Sequence, residues 1–500
     1  MSKDRQDAEA LKVAKTLRNA DNWKQLARWH GDGYYDLQTE DTGEVPVRLF
    51  LTPTLLNDAE DILYRQIVNA TRFPGVKMVV ITPDTHYGYG VPVGCVLITD
   101  VDTGAVAMGP VGYDIGCGMM SAKSQVDAGA ATPEKKLEFN RAVMQRVEMG
   151  SGGKSHRLGR VSESEFNNLV RGGAEYYVEK YGATFDRSRA ERHRIPVDDD
   201  WQIPWGGKGM PERGLDQLGS LGGGNHFIEL QKSVETETLF VQAHTGSRGF
   251  GHGLATNHFE MAKAEKPETI TDIDLGYFTP DSIHYRDYLN AVAAGGNYAI
   301  INRLIIFEQV AEAFRQTFGA ELELIYEISH NLVQREWHPE YKEVWVHRKG
   351  ATRAFPAGHP GLKGTFWEET GHPVLIPGSN KDWSYILRPA AGAVNSGFSV
   401  NHGAGRRLSR GEATRSLNQR QIDDEYREAG ILVNTNGRVP LDEAAPAYKS
   451  SEEVIEAVVG AGLATIEYKL WPLASLKGTD ERRQKRRRKG GKPGKTRSHF

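Results

Sequence analysis

The sequence predicts an α+β protein in which helices and mixed sheets form one interwoven unit. Three observations point there. Short apolar runs at residues 47–51, 76–82, 95–99, 322–328, 344–347 and 374–376 have the length and composition of buried strands and lie between turn residues. Helical periodicity occupies residues 134–149, 163–182 and 286–318. No internal repeat, heptad run or linker divides the chain before a change of composition at residue 479.

Taken in order, residues 1–45 read as a helical lead-in with an exposed turn at Gly31-Asp32-Gly33. The first three strands follow, with turn and site residues between them. Residues 134–149 and 163–182 read as amphipathic helices. Residues 187–217, polar and proline-interrupted, read as a surface excursion. Residues 286–318 form the strongest helical segment, interrupted at Gly295-Gly296. The expected division is therefore a lead-in (1–45), a catalytic body (46–478) and a basic tail (479–500).

At 500 residues, 39% hydrophobic and 25% charged, the chain is long enough for one extended core or several fused ones. Its 55 glycines imply many tight turns and places where backbone approaches a ligand. Two cysteines, Cys95 and Cys117, make no disulfide framework and suggest a reducing, cytoplasmic setting. No run approaches the roughly 20 apolar residues of a membrane span, and residues 1–21 carry no apolar core of a signal peptide. The net charge of −3 conceals an asymmetry: the tail holds ten Lys or Arg against two acids. Such a segment buries no core, is expected to be disordered, and attracts polyanions such as RNA, specifically or not.

Chemistry enters at Asp114-Ile115-Gly116-Cys117-Gly118, where a carboxylate and a thiol three residues apart can turn toward one cation. Three histidines stand at or near the ends of apolar runs: His226 in Gly224-Asn225-His226-Phe227, His244 in His244-Thr245-Gly246-Ser247-Arg248, and His330 in Ser329-His330-Asn331. Each alone reads more readily as a structural histidine than as a ligand. With Asp114 and Cys117 they fit two adjacent divalent ions sharing a bridging thiolate, a common way to hold phosphates in line. His402 lies in Asn401-His402-Gly403-Ala404-Gly405-Arg406-Arg407, with little bulk on one flank and arginines beyond. It reads either as a nucleophile open to phosphorus or as a histidine in a glycine turn. His86, in Asp84-Thr85-His86-Tyr87-Gly88-Tyr89-Gly90, is intermediate between site loop and turn; Cys95 is a small buried hydrophobe. His30, His156, His193, His252, His258, His284, His338, His359, His372 and His499 have polar or loop-like surroundings and no evident partner.

These motifs, together with Gly223-Gly224-Asn225-His226-Phe227, His347-Arg348-Lys349-Gly350-Ala351-Thr352 and Pro377-Gly378-Ser379, resemble the RtcB family of RNA ligases, in family order from about residue 46 to 478. The resemblance implies an α+β fold around a central metal and nucleotide cleft. It implies a GTP- and manganese-dependent enzyme joining RNA ends that bear a 3′-phosphate or 2′,3′-cyclic phosphate to 5′-hydroxyl ends, in tRNA splicing or RNA repair, through a covalent histidine-GMP. By motif the nucleophile is His402. Asp114, Cys117 and His226 match the ligands of one Mn²⁺, and Cys117, His244 and His330 those of a second. Asn225, Phe227, Glu229, Ser379 and Ser384 fall at nucleotide contacts, as do Ala404, Gly405, Tyr448 and Lys477, with Glu229 facing the guanine edge. Arg248, Arg406 and Arg410 are candidates for the RNA backbone.

RNA ends and GTP are the implied partners, an activating protein factor is left open, and no membrane is involved. One departure stands out. Where the family usually has Gly-Ser-Met-Gly, this chain has Gly378-Ser379-Asn380-Lys381, which leaves open a divergent paralogue serving repair. A binuclear metallophosphatase or nuclease, or a non-catalytic RNA-binding protein, are the rival readings. The first has no use for His402 as a covalent acceptor, and the second none for converging metal ligands.

Overall fold

Two large sheets frame the computed structural model, which describes residues 16–182, 189 and 194–478. The first sheet runs β1 (Ala27–His30), β2 (Tyr34–Leu37), β3 (Val47–Leu49), β4 (Val76–His86), β5 (Val93–Asp100), β13 (Lys342–Lys349) and β12 (Asn331–His338). Only the β3–β4 pairing among them is parallel. The second runs β11 (Glu323–Ser329), β7 (Gly118–Asp127), β9 (Thr238–Thr245), β8 (Phe227–Ser233), β19 (Ala464–Lys477), β16 (Ser384–Pro389) and β15 (Val374–Ile376), with β18 (Leu432–Val433) parallel to β19. Two antiparallel pairs, β6 (Val106–Ala107) with β10 (Tyr277–Phe278) and β14 (Ala351–Arg353) with β17 (Ser399–Asn401), complete the strands of the described residues. The expected α+β unit with mixed sheets is what the structure shows.

Burial explains why the strands read as unbroken apolar runs. From Met78 to Thr85 every residue of β4 is buried, so both faces of the strand are covered. The largest core packs the helices Pro133–Arg146, Glu163–Tyr181, Arg248–Glu265 and Tyr285–Phe318 together and against the second sheet. Thr132 and Ser162 cap the first two of these helices by accepting from Lys135 N and Glu165 N.

Three expectations are corrected. Of the lead-in, residues 1–15 lie outside the described residues, and among the described ones only Trp23–Leu26 forms an α-helix: β1 and β2 form a hairpin at the edge of the first sheet, with Trp29 and Tyr35 in edge contact at 5.0 Å across it. The alternating aromatic and polar residues on either side of Gly33 pair better across strands than along a helix face. The stretch 187–217 is no surface excursion where it is described. Val197, Trp201, Ile203 and Leu215 are buried, and Asn290 and Asn297 of the long helix accept the backbone N–H groups of Asp198 and Ile195. Side-chain amides here do for a loop what a ladder does for a strand.

Third, the long helix is continuous through Gly295-Gly296. Those glycines are there for proximity. A Cβ on Gly295 would stand 2.9 Å from Ile115 Cγ2, and one on Gly116 would stand 3.0 Å from Gly296 Cα. The helix thus presses directly on the loop carrying Asp114 and Cys117. The tail 479–500 lies outside the described residues. No helix among the described residues is long and apolar enough to cross a membrane.

Candidate metal and nucleotide site

Five side chains from four segments converge where the edges of β7, β8, β9 and β11 meet. Cys117 Sγ lies 3.2 Å from His244 Nε2 and 3.6 Å from His226 Nε2. His226 Nε2 is 3.1 Å from Asp114 Oδ2, and His244 Nε2 is 3.1 Å from His330 Nε2. The atoms fall into two groups sharing the sulfur, Asp114–Cys117–His226 and Cys117–His244–His330, each within 4.8 Å. The tautomers explain what such a cluster needs. His226 and His244 commit their Nδ1 protons to the carbonyls of Leu221 and Asn225, at 3.0 and 3.1 Å. Their Nε2 atoms are left facing the sulfur and the carboxylate, the positions from which they would ligate a cation once it displaces any proton there.

The surroundings agree. Burial opposes ionisation of Asp114, yet the hydrogen bond and charge of His226 hold its carboxyl well below the usual range. Burial, then the Asp114 charge, pushes the Cys117 thiol up, so a bound cation is what would hold it as thiolate. His244 and His330 are driven well below the ordinary imidazole value, first by burial, and stay neutral as ligation requires.

His402 stands beside this cluster, its ring 4.8 Å from that of His330. Its Nδ1–H donates to Asp84 Oδ2 at 2.7 Å, and its backbone N–H reaches the same oxygen at 3.1 Å. Asp84 is fully buried and its other oxygen accepts from Thr82 Oγ1 at 2.6 Å. Burial alone would raise Asp84, but the His402 ring outweighs it and carries the carboxyl below its ordinary value. The lone pair of His402 is thus placed on Nε2. Gly350, at φ 61°, leaves the ring its space: a Cβ there would stand 3.0 Å from His402 Cε1.

A cavity of about 400 Å³ opens from the metal cluster. Asp114, Cys117, His244, His330 and His402 line it, while His226 is buried behind them. Of the expected nucleotide contacts, Asn225, Phe227, Glu229, Ser379, Ala404, Gly405, Tyr448 and Lys477 line it. Ser384 does not; its Oγ accepts from Gly378 N and Gln231 Nε2, and Gln231 in turn donates to Glu229 at 2.7 Å. Arg406 and Arg410 line the cavity; Arg248 instead donates to Ser220 Oγ and the carbonyls of Gly150 and Ser151. His86 is on the cavity wall.

The chain matches the profile of the family described as tRNA-splicing ligase RtcB over residues 66–478. It belongs to the RtcB family. It is 35% identical to the tRNA-splicing ligase RtcB of Pyrobaculum aerophilum over 467 residues, covering 87% of this chain and 95% of that one. It is 34% identical to the protein of the same name from Thermococcus kodakarensis over 464 residues, 87% and 95% of the two chains. To the RNA-splicing ligase RtcB of Mycobacterium tuberculosis it is 36% identical over 442 residues, 83% of this chain and all of that one.

Within this RtcB-family site several residues escaped sequence reasoning. Asp84 was visible only as part of a motif. Glu443 is a buried hub whose carboxylate accepts from Tyr448 at 2.6 Å and Lys477 at 3.0 Å, and pairs with Arg406 and Arg410, each at 3.3 Å. Arg303, wholly buried and paired with Glu327, donates to the carbonyls of Gly116 and Thr245 at 2.7 and 2.9 Å, bracing the neighbours of Cys117 and His244. Nothing local marks these three; their partners are remote in sequence. The reading of His258 as a partnerless loop residue is also corrected: it is buried, with Nε2 3.1 Å from Asp287 and Nδ1 2.7 Å from the Leu254 carbonyl. His338, His359 and His372 are likewise buried.

Proposed function

We propose that this RtcB-family chain is an RNA ligase that uses GTP and Mn²⁺ to join a 3′-phosphate or 2′,3′-cyclic phosphate end to a 5′-hydroxyl end, as in tRNA splicing or RNA repair. The observation that carries the reading is the Asp84–His402 pair, which presents an imidazole lone pair beside a donor set suited to two cations. Two ions held by Asp114–Cys117–His226 and Cys117–His244–His330 would neutralise phosphate charge and orient the reacting oxygens. The donor set by itself would hold zinc or copper more tightly than manganese, so occupancy by manganese would follow from availability.

His402 Nε2 attacks the α-phosphorus of GTP. A P–N bond forms as the bond to pyrophosphate breaks, and Asp84 stabilises the charge that develops on the ring. An RNA 3′-phosphate oxygen then takes the GMP from His402, and the 5′-hydroxyl attacks the activated phosphate with GMP leaving. A cyclic phosphate is first opened by water to the 3′-monophosphate. Glu229, buried and pushed up to about 7 by that burial, accepts from the N–H groups of the guanine edge when ionised. Arg406 and Arg410 at the cavity supply cations for the RNA backbone. The buried free thiols of Cys95 and Cys117 suit a reducing compartment such as the cytoplasm.

Intact mass after incubation with GTP and Mn²⁺ tests the reading. One acid-labile GMP per chain is expected. A chain that remains unmodified while hydrolysing phosphate esters would instead be a metallophosphatase or nuclease.

A further inference from the structure

The loop of residues 378–384, whose Gly378, Ser379 and Asn380 line the cavity, is pinned at several points. Ser384 Oγ accepts from Gly378 N at 3.0 Å, Lys381 pairs with Glu425 at 3.0 Å, and Asp382 Oδ2 accepts from Ser451 N at 2.8 Å. On this wall Asn380 is 3% exposed and lines the cavity. Tyr426 OH accepts from Ala445 N at 2.9 Å and donates to Asn380 Oδ1 at 2.5 Å. That leaves the Asn380 NH₂ group buried without a hydrogen-bond partner among the described residues. The hydroxyl of Ser379, 5% exposed and beside it on the same wall, is also without one. Buried donors left unmatched are costly, and two adjacent ones on one cavity wall mark where a ligand supplies the acceptors.

An acidic side chain lining the same cavity from another strand is complementary. Glu229 of β8 is 3% exposed and lines the same cavity, and its Gln231 partner donates to the Ser384 hydroxyl that also anchors Gly378. The site therefore offers an acceptor on one strand and a donor on the facing loop.

We propose that Asn380 is a specificity-determining residue for the nucleotide base, its NH₂ donating to the base carbonyl while Glu229 accepts from the adjacent ring N–H. This rests on the reading of the cavity as a nucleotide site. Guanine offers a carbonyl oxygen beside an N–H. Adenine offers the reverse, an amino group beside a bare ring nitrogen. An amide NH₂ facing the adenine amino group sets donor against donor, a mismatch that survives protonation of Glu229, so Asn380 rejects adenine at pH values where Glu229 alone would not.

The test is equilibrium binding of GMP and AMP, which carry no leaving group, to the full chain with Mn²⁺, for wild type, Asn380→Ala and Asn380→Asp. The aspartate keeps the oxygen that accepts from Tyr426 and replaces the donor by an acceptor oxygen that repels the base carbonyl, and thermal unfolding shows whether the added carboxylate disturbs the wall. Thermal unfolding without nucleotide is measured alongside. Selective GMP binding by wild type is expected, with each variant losing about tenfold or more in GMP affinity while AMP binding holds. If wild type binds GMP selectively and both variants keep the GMP-to-AMP ratio, the role of Asn380 is overturned and the nucleotide site stands. If wild type binds neither nucleotide, the nucleotide reading and this inference fall together.

Discussion

The Asp84 carboxylate holds His402 twice, one oxygen accepting both the ring Nδ1–H at 2.7 Å and the backbone N–H at 3.1 Å, across 318 residues of sequence. Ring orientation, tautomer and main-chain position are thus registered against a single buried atom. A histidine held this way has its other nitrogen aimed before any nucleotide arrives.

Replacing either member of the pair separates nucleophile from orienter. His402→Ala is expected to give no covalent GMP while both metals still bind. Asp84→Asn keeps the shape but loses the preference for the reactive tautomer, and adduct formation slows on the order of 10³-fold. Intact mass over a time course, with metal content measured on the same samples, reads both. An acid-labile adduct in His402→Ala would falsify the assignment.

Cys117 belongs to both donor groups, so its loss is predicted to be felt twice. Cys117→Ser substitutes a hydroxyl that stays protonated near neutral pH and bridges poorly. Metal analysis after dialysis should show both equivalents falling together. A variant that loses one ion and still ligates RNA would rule out the shared thiolate.

Glu229 gives the site a pH dependence. Burial raises its carboxyl from 4.5 to about 7, opposed by the Gln231 hydrogen bond and the Lys477 charge. A base N–H needs the ionised form, so below about pH 7 a proton competes and guanine-nucleotide affinity drops toward tenfold per pH unit. The same shift has a sign for stability. The unfolded chain releases this proton first, so the contribution of Glu229 to stability is lost as pH rises from about 4.5 to about 7. Calorimetric GMP titrations across pH, compared with Glu229→Gln, check the first claim; the variant should lose this part of the dependence.

Removing residues 479–500 separates the polycation from the catalytic body. Lys477 remains paired with Glu443, so guanylylation of His402 should be unchanged in a chain ending at Gly478. RNA affinity should fall, and its dependence on salt should become shallower as fewer phosphates are neutralised. Binding isotherms over a salt series decide it: an unchanged slope means the tail does not touch RNA.

The strands around Val79, Leu97 and Ile376 were legible because burial on both faces leaves an apolar run that no other element of that length shows. The metal donors were legible because thiol, carboxylate and imidazole are few and their neighbours small. The β1–β2 hairpin was not, since its faces are half exposed and its pattern suits a helix as well as a strand. Gly295-Gly296 misled for a different reason: intrinsic propensity penalises glycine in a helix, and only the presence of Ile115 and Gly116 shows what the missing side chains allow. Glu443 and Arg303 were invisible because a buried charge is defined by its partners, and sequence spacing carries no trace of a hub whose cations are Arg406, Arg410 and Lys477.

β19 occupies the middle of its sheet, between β8 and β16, and delivers Lys477 to the cavity wall. During synthesis this seam is the last to close. Until residue 477 has cleared the ribosomal tunnel, β8 and β16 each expose an unpaired edge and Glu443 lacks its lysine. The five metal donors all lie at or before residue 330, so a nascent chain holds them well before Lys477 completes the cavity wall.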